Sequence, residues 1–306
     1  MGAGHSHGPS ASAGGAHRGR LIAVLAVTST VLVAEVVGGL LTGSLALLAD
    51  AGHMFTDVAG LGLAILAVTF AAKAPTLQRT YGYYRLEILA AVINGLLLFG
   101  IAVLILVEAW QRFTSPPEVN GTEMLAFASV GLVANLVSLF LLRSGAQESL
   151  NVKGAYLEVL GDLLGSVAVI AAAIVIATTG WLAADPVASV LVALMILPRT
   201  WSLLREAVDV LLEATPRGID LDDIRRHILD TPGVIDAHDL HVWTITSGMP
   251  VLSVHVIVAD EVLATGQGGQ ILDRLGHCLD DHFDVEHCTF QLEPVGHAEH
   301  EHTAHA

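Results

Sequence analysis

In the run Leu47-Leu-Ala-Asp-Ala-Gly-His-Met-Phe-Thr-Asp57, the ionisable residues Asp50, His53 and Asp57 fall inside a stretch otherwise apolar enough to cross a bilayer. Positions three, four and seven apart share one face of a helix, so the three groups form a single stripe. Two carboxylates and an imidazole on one stripe supply half the ligands of a divalent-metal site. A second stretch, Tyr156-Leu-Glu-Val-Leu-Gly-Asp162, repeats the i, i+4 spacing of His53 and Asp57 with Glu158 and Asp162. An unpaired ionisable group inside a bilayer is expensive, and two such pairs facing one cation would offset that cost. The competing reading leaves Glu158, with Lys153 nearby, simply solvated at the end of its helix.

The elements that must position these residues follow from composition. The chain has 306 residues, 53% hydrophobic and only 14% charged, with a mean hydropathy of +0.65, far more apolar than a soluble domain. Spanning-length segments fall at Leu21 to Leu41, Leu45 to Ala72, Ile88 to Trp110, Met124 to Leu142, Ala155 to Thr178 and Ala183 to Leu197, where about 20 residues suffice. The sixth is short, and Pro198 marks its end or a kink. The first could be mistaken for a signal peptide, but its apolar run is far longer than an h-region of about 7 to 15 residues. Basic residues cluster on one set of loops, at Arg18 and Arg20, at Lys73, Arg79 and Arg85, and at Arg143 and Lys153. The opposite loops carry only Arg112. Both termini are therefore expected in the cytoplasm.

The formal net charge of -16 comes mostly from acids beyond Leu203, in a tail of soluble composition. That tail reads as helix, strand, strand, helix, strand, with a hairpin signal at Ser247-Gly-Met-Pro250. The expected organisation is a flexible His-containing tail over residues 1–20, a six-helix transmembrane domain over 21–200, a helical connector over 201–218, a cytoplasmic α+β domain over 219–294 and a His-rich tail over 295–306. Cys278 and Cys288 both lie in the soluble part, which fits a reducing compartment better than a disulfide framework.

Other polar residues carry two readings each. Glu35 in the first segment is either a carboxylate hydrogen-bonded within the bundle or a group that moves protons. Asp50 either guides a leaving ion or is favoured by the helix dipole near its N-terminus. Asn94 and Asn135 read as interhelical hydrogen-bond partners, and Tyr81 to Glu87 as an interfacial anchor. In the soluble part, His238 and His255 sit on neighbouring strands and could share a metal or be ordinary strand histidines. His5, His7 and His17 at one end and His297, His300, His302 and His305 at the other form tails that hold metal weakly or not at all.

Taken together, Leu47 to Asp57, Gly82-Tyr-Tyr-Arg-Leu-Glu-Ile-Leu-Ala-Ala91, Gly161-Asp-Leu-Leu-Gly-Ser166 and His238-Asp-Leu-His-Val-Trp-Thr-Ile-Thr-Ser-Gly248 resemble the cation diffusion facilitator family of metal transporters, over almost the whole chain. The resemblance implies a zinc-type efflux protein, a homodimer of six-helix bundles with metallochaperone-like αββαβ cytoplasmic domains, exchanging Zn²⁺ for H⁺. Its intramembrane site falls on His53, Asp57, Glu158 and Asp162; Asp50 and Glu35, on the reading of the residues themselves, are the accessory candidates beside it. Glu158 departs from the pattern, because zinc-selective members carry His there. A carboxylate in that place hardens the site toward oxygen-loving ions such as Mn²⁺ and Fe²⁺, beside Cd²⁺ and Co²⁺. In the cytoplasmic domain the resemblance points to His238 and His255, with Gln291 where a further His is expected and Glu293 as a substitute ligand.

The chain is thus expected to be no enzyme but a multi-pass cell-membrane transporter exporting a divalent cation, Zn²⁺ first, against protons. Zn²⁺ would act as substrate and as regulator, and no nucleic acid is expected as partner. Ligands must lose protons to hold metal, which links metal release to proton uptake, with His53 as the carrier because free imidazole titrates near neutrality. No Gly-x-x-x-x-Gly-Lys-Ser/Thr motif occurs, so a gradient must drive transport. The rival readings are a membrane-anchored metal sensor or store and a monovalent-cation/proton antiporter.

Overall fold

In a computed structural model the described residues are 11–71, 73–143, 150–283, 285 and 287–297; the side chains of 11–21, 61, 64, 65, 67, 68, 71, 150–155 and 281 lie outside the description. His5, His7, His300, His302 and His305, and residues 144–149, also fall outside it. Six long helices come first: α1 (Ala11–Thr42), α2 (Leu45–Ala71), α3 (Leu86–Thr114), α4 (Gly121–Leu142), α5 (Leu150–Thr179) and α6 (Ala184–Leu211). Of these, α1 from Ile22 onward, α3, α4, α5 from Tyr156 onward and α6 are long and apolar enough to cross a membrane among the described residues. Helix α2 has 27 residues, which at about 1.5 Å each exceeds the roughly 30 Å hydrocarbon core.

Two boundaries differ from expectation. Helix α1 reaches back to Ala11, into the segment expected to be a tail; Ala11, Ala13 and Ala16 are strong helix formers, and an existing helix extends at little cost. Helix α6 continues past Pro198 into the expected connector. A proline removes a single backbone donor, and apolar packing of Val192, Ala193 and Ile196 against α2 and α3 holds the helix on its preceding side.

The chain forms two compact units, one of residues Met1–Ala64 with Ile93–Leu203, the other of Ile65–Val92 with Leu204–Ala306. The first is a helical bundle whose polarity is inverted relative to a soluble protein. Leu40, Leu104 and Phe140 are exposed while Glu35, Asp50, Asn135, Asp162 and Ser166 are buried, as a lipid environment requires. Small residues let the helices approach. A Cβ at Gly121 would lie 2.7 Å from the Ala177 nitrogen and 3.0 Å from the Ala173 carbonyl, so α4 and α5 meet backbone to backbone there. Helix α4 starts on Asn120, whose side chain accepts from the Glu123 N–H at 3.3 Å, satisfying one of its free first-turn donors.

The second unit carries α7 (Leu221–Leu229), β1 (Val234–Thr244), β2 (Pro250–Val258), the short α8 (Asp260–Ala264), α9 (Gly268–Phe283) and β3 (His287–Glu293). Apart from α8 this is the αββαβ order expected. Strands β1 and β2 are an antiparallel hairpin, and β3 joins β2 in parallel, a pairing that needs the α8–α9 crossover. Ile224 and Ile228 of α7 and Leu275 and Leu279 of α9 cover Leu252, Val254 and Val256 of β2. Gly233 turns the chain into β1 at φ 100°, which an L side chain rarely adopts. In the same unit Arg85 pairs with Glu213 at 2.7 Å, and Glu87 accepts a hydrogen bond from Thr246. The Tyr81 to Glu87 segment, read as a membrane anchor, thus also ties itself to the soluble fold.

Candidate metal centres

The first centre lies in the helical unit. Helix α2 stacks His53 and Asp57 one turn apart, and α5 brings in Asp162. His53 Nε2 stands 3.3 Å from Asp162 Oδ1 and 3.7 Å from Asp57 Oδ2, and the three ligand atoms all lie within 4.8 Å of one another. A tetrahedral ion with bonds of about 2.0–2.2 Å sets its ligand atoms about 3.3–3.6 Å apart, so the spacing fits one ion with little rearrangement. Asp162 is buried and His53 nearly so. His53 Nδ1 has no hydrogen-bond partner among the described residues, so a neighbouring acceptor of the kind that usually orients a metal-bound imidazole is missing.

Glu158 does not join this trio. Its Oε1 accepts from Arg199 Nη2 of α6 at 2.9 Å, and the pair is a third to a half exposed. Glu158 is nonetheless close enough to Asp57 for their charges to interact. The i, i+4 repeat puts Glu158 on the helix face that carries Asp162, but it carries no sign of Arg199, which comes from a different helix, one residue past Pro198 on α6. Asp50 and Glu35 are buried beside the trio and outside it. Asn135 behaves as expected, its Nδ2 donating to Ser166 Oγ of α5 at 3.2 Å. Asn94 fills the space over Gly60, where a Cβ would meet its Nδ2 at 2.7 Å.

Asp185 was not singled out by the sequence reading. Fully buried in the first turn of α6, it accepts from Ser44 Oγ at 2.6 Å and from the backbone N–H groups of Leu45 and Ala46 at 2.8 and 3.1 Å. It thereby caps α2 from a different helix, placing a negative charge at its positive end. Arg112 Nη1 closes the cluster, 2.6 Å from the Gly43 carbonyl and 3.4 Å from Asp185 Oδ2. This fixes the end of the helix that carries His53 and Asp57. The signal lay in Ser44 before α2 and Asp185 opening α6, but about 140 residues separate them.

The second centre lies in the soluble fold. His238 and His255 face each other across the β1–β2 ladder, with ring centroids 5.1 Å apart. Glu293 at the end of β3 reaches both, its Oε2 3.1 Å from His238 Nε2 and its Oε1 2.9 Å from His255 Nδ1. Gln291 donates to Glu293 Oε1 at 2.8 Å. The residue in the expected histidine position therefore orients the carboxylate. Burial alone would raise the Glu293 pKa, but the hydrogen bonds from Gln291 and His238 and the charges of the two histidines outweigh it and hold the group below the ordinary glutamate value. A bulge between His238 and His241 turns Asp239, at φ 52°, so that its Oδ2 lies 3.9 Å from His255 Nε2; alternation along β1 alone would have sent it to the opposite face.

A helical membrane bundle with buried imidazole and carboxylate ligands, carrying a soluble α+β domain with a ligand cluster of its own, defines a membrane protein that handles metal ions. Residues 21–212 match the cation efflux transmembrane domain, and residues 216–295 match the cytoplasmic domain of cation efflux proteins. The metal cation efflux system protein CzcD of Cupriavidus metallidurans is 50% identical over 293 residues, covering 96% of this chain and 90% of that protein. The zinc transporter ZitB of Escherichia coli is 44% identical over 291 residues, covering 94% and 91%. A cadmium, cobalt and zinc/H(+)-K(+) antiporter of Bacillus subtilis is 43% identical over 296 residues, covering 96% and 93%. The chain belongs to the cation efflux family, the cation diffusion facilitators, and is a transporter of metal cations, not an enzyme.

Proposed function

We propose that this protein exports a divalent metal cation, Zn²⁺ first, from the cytoplasm in exchange for protons, through a four-ligand site of His53, Asp57, Asp162 and Glu158. The observation that carries it is the spacing of the three ligand atoms, which suits one tetrahedral ion. Glu158 is the fourth ligand by recruitment: it leaves Arg199 when a dication arrives. Relatives whose names include zinc transport and H⁺ antiport support both the cargo and the coupling. Metal displaces protons from His53 and the carboxylates, and protons displace metal on release, so the two fluxes run in opposite directions at the same atoms. Alternating access exposes the site first to one side and then to the other.

The protein works as a homodimer in the cell membrane with both termini cytoplasmic, supported by the basic-loop asymmetry and by the cytoplasmic-domain match. His238, His255 and Glu293 form a regulatory metal site there, supported by their convergence on one point. The test is metal uptake into proteoliposomes under an imposed pH gradient. Zn²⁺ flux with opposite proton movement, both lost in Asp162→Ala, is expected; undiminished transport in that variant refutes the site. Competition among Zn²⁺, Cd²⁺, Co²⁺, Mn²⁺ and Fe²⁺ then sets the cargo, and Glu158→His is expected to move the preference toward Zn²⁺.

A further inference from the structure

One cluster is left over when the transport trio and the Asp185 cap are accounted for. Glu35 of α1, Asp50 of α2, Asn135 of α4 and Ser166 of α5 converge inside the helical unit, exposed by 1%, 2%, 4% and 0% respectively. The Glu35 carboxyl faces that of Asp50. Apart from each other, neither oxygen of Glu35 nor Asp50 Oδ1 has a hydrogen-bond partner among the described residues, and no ion pair joins either group there. Asp50 Oδ2 receives only a long contact, 3.5 Å, from Ser166 Oγ. Two buried carboxylates facing each other cannot both stay charged unless a cation lies between them; otherwise they hold a proton in common.

The backbone makes room for them. A Cβ at Gly131 would lie 2.4 Å from Glu35 Oε1 and 3.6 Å from Ser166 Oγ, and a Cβ at Gly165 would lie 3.0 Å from Asp50 Oδ1. Glycines at two facing positions therefore admit carboxylate oxygens where any side chain would exclude them. The donor set is two carboxylates and a hydroxyl that the Asn135 amide holds in place: oxygen ligands with two negative charges, which balance one divalent cation and suit a hard or borderline ion.

We propose that Glu35, Asp50, Asn135 and Ser166 form a second, all-oxygen cation subsite that holds the divalent ion after it leaves the His53, Asp57 and Asp162 cluster. The inference rests on the transport reading above. Asp50 precedes His53 by three residues, so the subsite lies about 4.5 Å along α2 toward the α1–α2 turn. Without imidazole it binds Zn²⁺ more weakly than the trio does. An ion path needs this gradient, with sites strong enough to enter and weak enough to leave.

The experiment titrates the purified full-length protein in detergent with Mn²⁺, an oxygen-preferring probe, counting free ion by its EPR signal, and measures Zn²⁺ binding and Zn²⁺ flux in parallel. The near-isosteric Glu35→Gln and Asp50→Asn changes are made singly and together, and size-exclusion profiles confirm folding. Expected is the loss of one bound Mn²⁺ per protomer, with the Zn²⁺ Kd within about threefold of the unaltered protein and flux reduced about tenfold or more, the signature of a step after binding. An unchanged Mn²⁺ count overturns the proposal, even where the pH profile of flux moves, because the pair then shares a proton instead of a metal ion. Normal flux in Glu35→Gln overturns it too. Joint loss of Zn²⁺ and Mn²⁺ binding in both single variants also overturns it, since the two sites would then be one. Failure of the transport reading shows separately, as persistent flux in Asp162→Ala.

Discussion

Replacing Arg199 with Gln should tighten metal binding. In the described conformation Arg199 holds Glu158 at 2.9 Å, with the two side chains 50% and 35% exposed, so an incoming dication must first displace the guanidinium. Exposed ion pairs of this kind contribute only about 0.2–1 kcal/mol after solvent screening. Freeing Glu158 therefore lowers the Zn²⁺ Kd by about 1.4- to 5-fold. Isothermal titration of the full-length protein at low and high salt reads this directly, and the gain shrinks as salt screens the pair. In a Glu158→Gln background the Arg199 change should have no effect, which closes a double-mutant cycle. Weaker binding in Arg199→Gln, or an equal gain when Glu158 is already neutral, would show that Arg199 supports the site instead of competing for it.

Asp185→Ala should cost about 1–3 kcal/mol, because it leaves Ser44 Oγ and the first N–H groups of α2 without their buried acceptor, while Arg112 keeps Glu108 at 3.1 Å; thermal unfolding of the purified protein should show a clear drop in Tm, and an unchanged Tm refutes the cap. Glu293, whose pKa is lowered in the fold, stabilises the soluble domain at neutral pH, and this contribution fades as pH falls from the ordinary glutamate value toward the lowered one. Unfolding followed across that acid range should therefore be steeper in pH for the native sequence than for Glu293→Gln, and equal slopes would count against the histidine contacts. Burial, helped by the charge of Asp280, pushes the Cys288 thiol up to about 11 from 9.0, so at neutral pH its thiolate fraction and alkylation rate fall about 100-fold below those of an unperturbed thiol. Iodoacetamide labelling of Cys288 read by mass spectrometry tests this, and labelling at the ordinary rate refutes it.

The membrane bundle, the αββαβ order and the paired ligand faces were legible in the sequence because each follows from local periodicity. Spacing of three and four on α2 and α5 fixes which side chains share a face, and alternation on β1 and β2 puts His238 opposite His255. Tertiary structure alone decided which groups meet. The bulge at Asp239, the capture of Glu158 by Arg199, the capping of α2 by Asp185 and the burial of Glu35 against Asp50 all join residues from different elements, some about 140 positions apart. No periodicity encodes such meetings, because they depend on how helices rotate and slide to pack small residues such as Gly121, Gly131 and Gly165, and packing is a property of the whole bundle rather than of any one stretch.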